Sequence, residues 1–214
     1  MKSNNQKTII ITIVIIGAFV LGYYLSKNSP TTQTASINNS IASHHGEGTA
    51  VAVNNEQLNS LIGKPLPDIQ LTDKDGNTVS TASLKGKNTV LFFNEGLMCY
   101  PACWNQMAVF GSDVRFNTEE IQAYSVLTDP SRNWQTAIDK MPELAKAKTL
   151  FDVGSTVSKK LGLLTLPSSM HRGSLPGHTY IVLDKAGIVR FVKDDPNMAI
   201  ANDLLAAKID ELNK

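Results

Sequence analysis

Cysteine occurs twice in the 214 residues, as Cys99 and Cys103, in the stretch Asn94-Glu95-Gly96-Leu97-Met98-Cys99-Tyr100-Pro101-Ala102-Cys103 that follows the apolar run Thr89–Phe93. Residues four apart at a helix start bring their Cα atoms to roughly 6 Å, inside the range a disulfide tolerates. Such a pair can open and close without refolding the chain. Pro101 suits the first helical position, where its missing N–H costs nothing. Cys103 then falls in the first turn, where the positive end of the helix dipole favours a thiolate. A bridge closing so short a loop constrains the unfolded chain little, so the pair reads as chemistry rather than as a staple. Zinc is a poor fit, because four ligands are wanted and no second CxxC or HxxxH cluster follows.

The elements that must position this pair can be read from hydrophobic periodicity. Gly63-Lys64-Pro65-Leu66-Pro67 opens a folded region in extended form, and Asp75-Gly76-Asn77 marks a turn between two short strands. Thr89–Phe93 is a continuous apolar run, as expected of a strand covered on both faces. A helix from Pro101 to about Phe110, a strand Ile121–Leu127, a helix around Trp134–Lys140, a short strand Thr149–Asp152 and a helix Ser155–Leu161 follow. Strands Thr179–Asp184 and Gly187–Val192 form a hairpin through Lys185-Ala186-Gly187. Asn197–Leu212 closes the chain as an amphipathic helix with Ile200, Leu204, Leu205, Ile209 and Leu212 on its apolar face. The order predicts an α/β fold, a thioredoxin-like three-layer sandwich on a central mixed sheet.

The N-terminus predicts a membrane. Residues 8–25 form an uncharged, largely apolar stretch near the lower limit for crossing a bilayer, with Lys2 and Lys7 before it and Tyr23 and Tyr24 near its end. The positive-inside rule makes this a single-pass anchor in the cell membrane with the remainder extracytoplasmic. Residues 26–50, rich in Ser, Thr, Asn and Gly, read as a flexible tether that includes His44-His45, and 51–214 as the folded domain. A net charge of +1 gives no hint of a nucleic-acid partner.

With the cysteine pair, the Asp184-Lys185-Ala186-Gly187 turn and the Gly63-Lys64-Pro65-Leu66-Pro67 opening, the chain from about Leu58 to Leu212 resembles the AhpC/TSA peroxiredoxin-like redoxins. The resemblance implies a thiol-dependent oxidoreductase whose redox-active disulfide is its working group, with no separate cofactor. It implies a peroxide or protein disulfide as substrate and an external thiol as electron donor, with one cysteine attacking and the other resolving: alignment to the redoxins makes Cys103 the attacker, whereas the habit of thioredoxins makes it Cys99, the N-terminal thiol of the pair. In that family a Pro-x-x-x-Thr-x-x-Cys pattern surrounds the attacking cysteine; here Gly96 and Tyr100 stand at the proline and threonine positions. The family's arginine position, counted back from Thr179, holds Gly177, leaving Arg172 as the arginine near enough in sequence to stand in. Pro176 or Pro167 is the candidate for the proline, usually cis, that faces the sulfur in thioredoxin folds. Glu95 precedes the thiols and either takes and gives a proton or is a solvated loop acid. Trp104 and Trp134 read as packing residues.

The chain also resembles the Sco copper chaperones in its N-terminal anchor and Cys-x-x-x-Cys turn. That resemblance implies copper held by Cys99, Cys103 and His178 or His171, a ligand set soft enough for Cu(I).

Overall fold

A computed structural model describes residues 55–213. The expected anchor, the tether and His44-His45 lie outside the described residues, among which no helix is long and apolar enough to cross a membrane. Strands β1 (Gln70–Asp73), β2 (Thr78–Ser80), β3 (Asn88–Asn94), β4 (Ile121–Leu127), β5 (Thr149–Phe151), β6 (Thr179–Leu183) and β7 (Val189–Asp194) join in one sheet of order β2-β1-β5-β4-β3-β6-β7. Helices are α1 (Glu56–Asn59), α2 (Ala102–Ser112), α3 (Ser131–Lys140), α4 (Thr156–Lys160) and α5 (Asn202–Leu212).

β3 pairs with β4 in parallel and with β6 antiparallel, and β4 pairs with β5 in parallel. The two parallel steps move the same way across the sheet. Right-handed crossovers therefore place α2 and α3 on one face. Every residue of β3 is buried, and its side chains alternate between two cores. Val90 and Phe92 join Tyr180, Trp104, Phe110, Trp134, Leu205 and both cysteines on the α2 side. Leu91 and Phe93 join Leu150, Ile181, Leu183, Leu58 and Leu161 on the other. The predicted mixed sheet with helices on both faces is thus present, and Trp104 and Trp134 pack in its interior as expected.

The starts of the last strand and of the last helix differ from the sequence-based expectation for reasons visible in their turns. β7 starts at Val189, not Gly187, because Asp184 Oδ1 accepts the N–H groups of Ala186 and Ile188 and holds both in the turn, with Gly187 at φ 81°. The last helix starts at Asn202, not Asn197. Asp195 folds the preceding segment into a turn, accepting Met198 N–H at its carbonyl and Ala199 N–H at its carboxylate, with Met198 at φ 50°. Ile200 and Leu204 are in consequence exposed, while Leu205 and Ile209 are buried.

Candidate functional site

The chain leaves β3 through an Asx turn in which Asn94 Oδ1 accepts Gly96 N–H at 2.9 Å. Gly96 has φ 60°, and a Cβ there would sit 1.8 Å from Asp129 Oδ2. Proline, whose φ is fixed near −65°, cannot take this conformation, which gives a physical reason why glycine stands at the family's proline position. Asp129 accepts Leu97 N–H at 2.8 Å, and Trp104 Nε1 donates to the Gly96 carbonyl at 3.1 Å. Burial pushes the Asp129 carboxyl above its ordinary value. The turn ahead of the cysteines is thus held from β3, from the loop after β4 and from α2.

Cys99 and Cys103 are joined by a disulfide with Cα atoms 5.4 Å apart. Cys103 N–H donates to the Cys99 carbonyl at 3.0 Å, so the first helical hydrogen bond spans the bridge itself. Pro101 lies just before the first residue of α2, and Cys103 is the second, within the first turn as predicted. Both cysteines are buried, Cys99 2% exposed and Cys103 0%.

His178, fully buried at the end of the segment entering β6, reaches the bridge because β6 runs antiparallel to β3, with Thr179 opposite Phe93. Its Nδ1 lies 3.5 Å from Cys103 Sγ and its Nε2 2.6 Å from Tyr180 Oη. Phe92 packs against the imidazole at 4.5 Å between ring centroids and stacks on Tyr180 at 4.8 Å. Burial is the main cause that lowers the His178 pKa to about 4, so the ring is neutral at pH 7. Burial likewise raises the Tyr180 phenol, keeping it protonated.

Other predicted residues fall elsewhere. Glu95 is no solvated acid: it is 1% exposed, and its carboxylate accepts Met170 N–H at 2.7 Å and His171 N–H at 3.1 Å, with His171 Nδ1 at 2.8 Å. It ties the loop before β6 to the end of β3. His171 accordingly faces Glu95 and not the sulfurs. Arg172 is exposed and donates to the Pro167 carbonyl in its own loop, so it is not brought to the bridge. Pro176 is buried beside His178, but the cis bond among the described residues is Tyr100–Pro101, not the one before Pro176 or Pro167. Gly177 packs so tightly that a Cβ would lie 2.1 Å from Ser168 Oγ, which leaves no room for an arginine. Tyr100 is 65% exposed and packs edge-on against Trp104. With Leu97, Thr136, Lys140 and Met141 these two rings line an open groove of about 680 Å³ next to the disulfide turn.

The ligand atoms of Cys99, Cys103 and His178 lie within 4.8 Å of one another, so the three residues that the copper reading needs do converge. What sequence reasoning missed is the polar chain behind His178. Tyr180 lies two residues on and so shares its strand face, which periodicity alone could have flagged.

Residues 62–192 match the family described as AhpC/TSA. A chloroplastic peroxiredoxin Q from Triticum aestivum is 31% identical over 136 residues, covering 61% of this chain and 57% of the relative. A chloroplastic peroxiredoxin Q from Suaeda salsa is 32% identical over 136 residues, covering 61% and 58%. The chain thus spans somewhat over half the length of these relatives. Among solved structures, peroxidoxin BcpB from Mycobacterium tuberculosis superposes with a TM-score of 0.58 at 21% identity, covering 72% of this chain and 98% of that one. A putative protein disulfide isomerase from Bacteroides thetaiotaomicron gives a TM-score of 0.53 at 19% identity, covering 71% and 89%. These likenesses carry the thioredoxin-like fold.

Proposed function

Because the chain belongs to the AhpC/TSA family, matched over residues 62–192, we propose that it is a thiol-dependent peroxidase working through the Cys99–Cys103 pair. The observation that carries the reading is the disulfide at the strand-to-helix turn, with an imidazole nitrogen 3.5 Å from Cys103 Sγ. In the reduced pair the Cys103 sulfur attacks a peroxide oxygen. An S–O bond forms, the O–O bond breaks, and the departing oxygen leaves as water or an alcohol. The Cys99 thiol then attacks the sulfenic sulfur, closing the disulfide and releasing water. An external dithiol restores the pair by two exchanges. The groove lined by Tyr100 and Trp104 is where we place the approach of substrate or donor.

Stoichiometric hydrogen peroxide added to the reduced protein tests this by mass spectrometry. The expected product is the Cys99–Cys103 disulfide, and Cys99→Ser should trap oxidation on Cys103. Neither cysteine oxidised, alongside ready reduction of a disulfide substrate, replaces the peroxidase by a thiol-disulfide exchanger using the same pair. A tight one-to-one Cu(I) complex lost in His178→Ala, with turnover of neither substrate, replaces both by a copper carrier. That reading rests on the convergence of the same three residues and draws no support from the relatives.

The place of action is part of the proposal. The apolar stretch 8–25 behind Lys2 and Lys7 supports a membrane anchor with the thiols outside the cytoplasm. Protease added to intact spheroplasts should then release a folded domain. Protection until the membrane is broken reverses the topology.

A further inference from the structure

Behind His178 a chain of hydrogen bonds runs away from the disulfide, and its direction is fixed at its far end and again midway. At the far end, Asn202 Nδ2 lies 2.8 Å from Asp113 Oδ2. Hydrogen bonding from Arg115 holds the Asp113 carboxyl down at about 2, so it only accepts, and Asn202 must present its amide nitrogen there. Asn202 Oδ1 then accepts from Gln106 Nε2 at 2.7 Å. Independently, the backbone N–H of Ala201, which can only donate, lies 2.8 Å from Gln106 Oε1. The two constraints agree on the orientation of the Gln106 amide.

Tyr180 Oη lies 3.0 Å from that same Oε1 and must donate to it. Its remaining lone pairs face His178 Nε2 at 2.6 Å, so Nε2 carries the hydrogen. A neutral imidazole has one N–H. The nitrogen left bare is Nδ1, the one facing Cys103 Sγ at 3.5 Å. The glutamine and asparagine transmit an orientation along this chain and carry no proton.

We infer that His178 is a catalytic base for Cys103, presenting an unprotonated Nδ1 to its thiol, and that Tyr180 and Gln106 are positioning residues that hold this tautomer. The inference rests on the reading of Cys103 as the attacking thiol. As the sulfur attacks, the S–H bond breaks and Nδ1 takes the proton. The S–O bond forms, the O–O electron pair leaves with the departing oxygen, and Nδ1–H returns the proton to it. Sulfur loses two electrons and the peroxide gains them. Around the imidazole, Asp195 and a hydrogen bond with the Ala199 backbone favour the protonated ring and Lys193 disfavours it, while the Tyr180 phenol meets Nε2 and the Cys103 sulfur meets Nδ1.

The test uses the full chain carrying Cys99→Ser, labelled with nitrogen-15 and kept reduced. Long-range nitrogen–proton correlations should show His178 protonated on Nε2 and bare on Nδ1. Tyr180→Phe removes the acceptor that selects this form. It should give a mixture of tautomers and slow alkylation of Cys103 by iodoacetamide at pH 7 by about tenfold or more. Gln106→Leu keeps the phenol but frees it to turn, and should shift both readouts less, in the same direction. A ring protonated on Nδ1 in the parent overturns the inference without any variant having to fold, and so does Tyr180→Phe with tautomer and rate unchanged. Failure of the underlying reading looks different: a mixed disulfide trapped in Cys103→Ser and not in Cys99→Ser moves the attack to Cys99 and leaves the tautomer as measured.

Discussion

The two faces of the sheet are built from different materials. On the side away from the disulfide, the buried cluster is Leu, Ile and Val with Phe93 as its one aromatic residue. On the disulfide side it holds seven aromatic rings among its buried members, both cysteines and, threaded through it, the chain from His178 to Asn202. That side also contains, among the described residues, buried polar atoms without a partner, Trp134 Nε1 and Ser125 Oγ. Aliphatic side chains fill space and ask for nothing else, whereas Tyr and Trp bring a polar tip that must be satisfied or lost. Burial on the first face therefore carries no polar cost, whereas the second gives up part of what its rings contribute to hold an oriented imidazole beside a sulfur.

The comparison can be broken most forcefully at Leu150, fully buried in the aliphatic face. Leu150→Ala should lower unfolding free energy by about 3–5 kcal/mol. Its urea midpoint should fall while the alkylation rate of reduced Cys103 stays put; a changed rate would mean that the faces are coupled. The disulfide face should respond instead to acid. His178 folds neutral, its pKa lowered by burial to about 4, so protons prefer the unfolded chain. The contribution is fully present above pH 6.5 and is lost as pH falls toward 4, reaching on the order of 3 kcal/mol. Urea midpoints at pH 7 and pH 4.5 should converge in His178→Gln; an unaltered pH dependence would place the acid sensitivity elsewhere.

Gly96→Ala forces a side chain onto Asp129 at φ 60° and should cost about 1–3 kcal/mol, read from the thermal midpoint of the oxidised protein. No loss would mean that the turn has slack. The smallest effect is expected at exposed Tyr100, whose edge contact with Trp104 is worth about 0.5–1.5 kcal/mol. Tyr100→Ala should lower the thermal midpoint by no more than a few degrees. If the groove receives the substrate, KM rises while the Cys103 alkylation rate is kept.

How much of this was legible beforehand follows the same division. β3 and β6 centre on runs of apolar residues whose burial on both faces leaves little choice of structure, β4 is a β-branched and aromatic-containing segment between polar flanks, and Cys99 with Cys103 announces its turn by spacing. Glu95 could not be read, because what buries it, the N–H groups of Met170 and His171, comes from 75 residues away. The isomer before Pro176 or Pro167 was open in the sequence for a related reason: it is set by tertiary packing, which a local pattern does not carry. At the C-terminus the periodicity of Ile200 and Leu204 imitated a longer helix, while Asp195 diverted the backbone and left the Ala201 N–H aimed at Gln106.

The sheet ends on β2 at one side and β7 at the other. An open edge is a template onto which another chain can add a strand, the usual start of aggregation. β2 is three residues long, which gives an incoming strand little to grip. The start of β7 is already covered, since Gly63 N–H donates to the Val189 carbonyl and Val189 N–H to that of Lys64, and the rest of the strand carries the charged residues Arg190, Lys193 and Asp194, which disfavour an added strand. Both borders of the sheet are thus poor templates for a further strand, whichever state the disulfide is in.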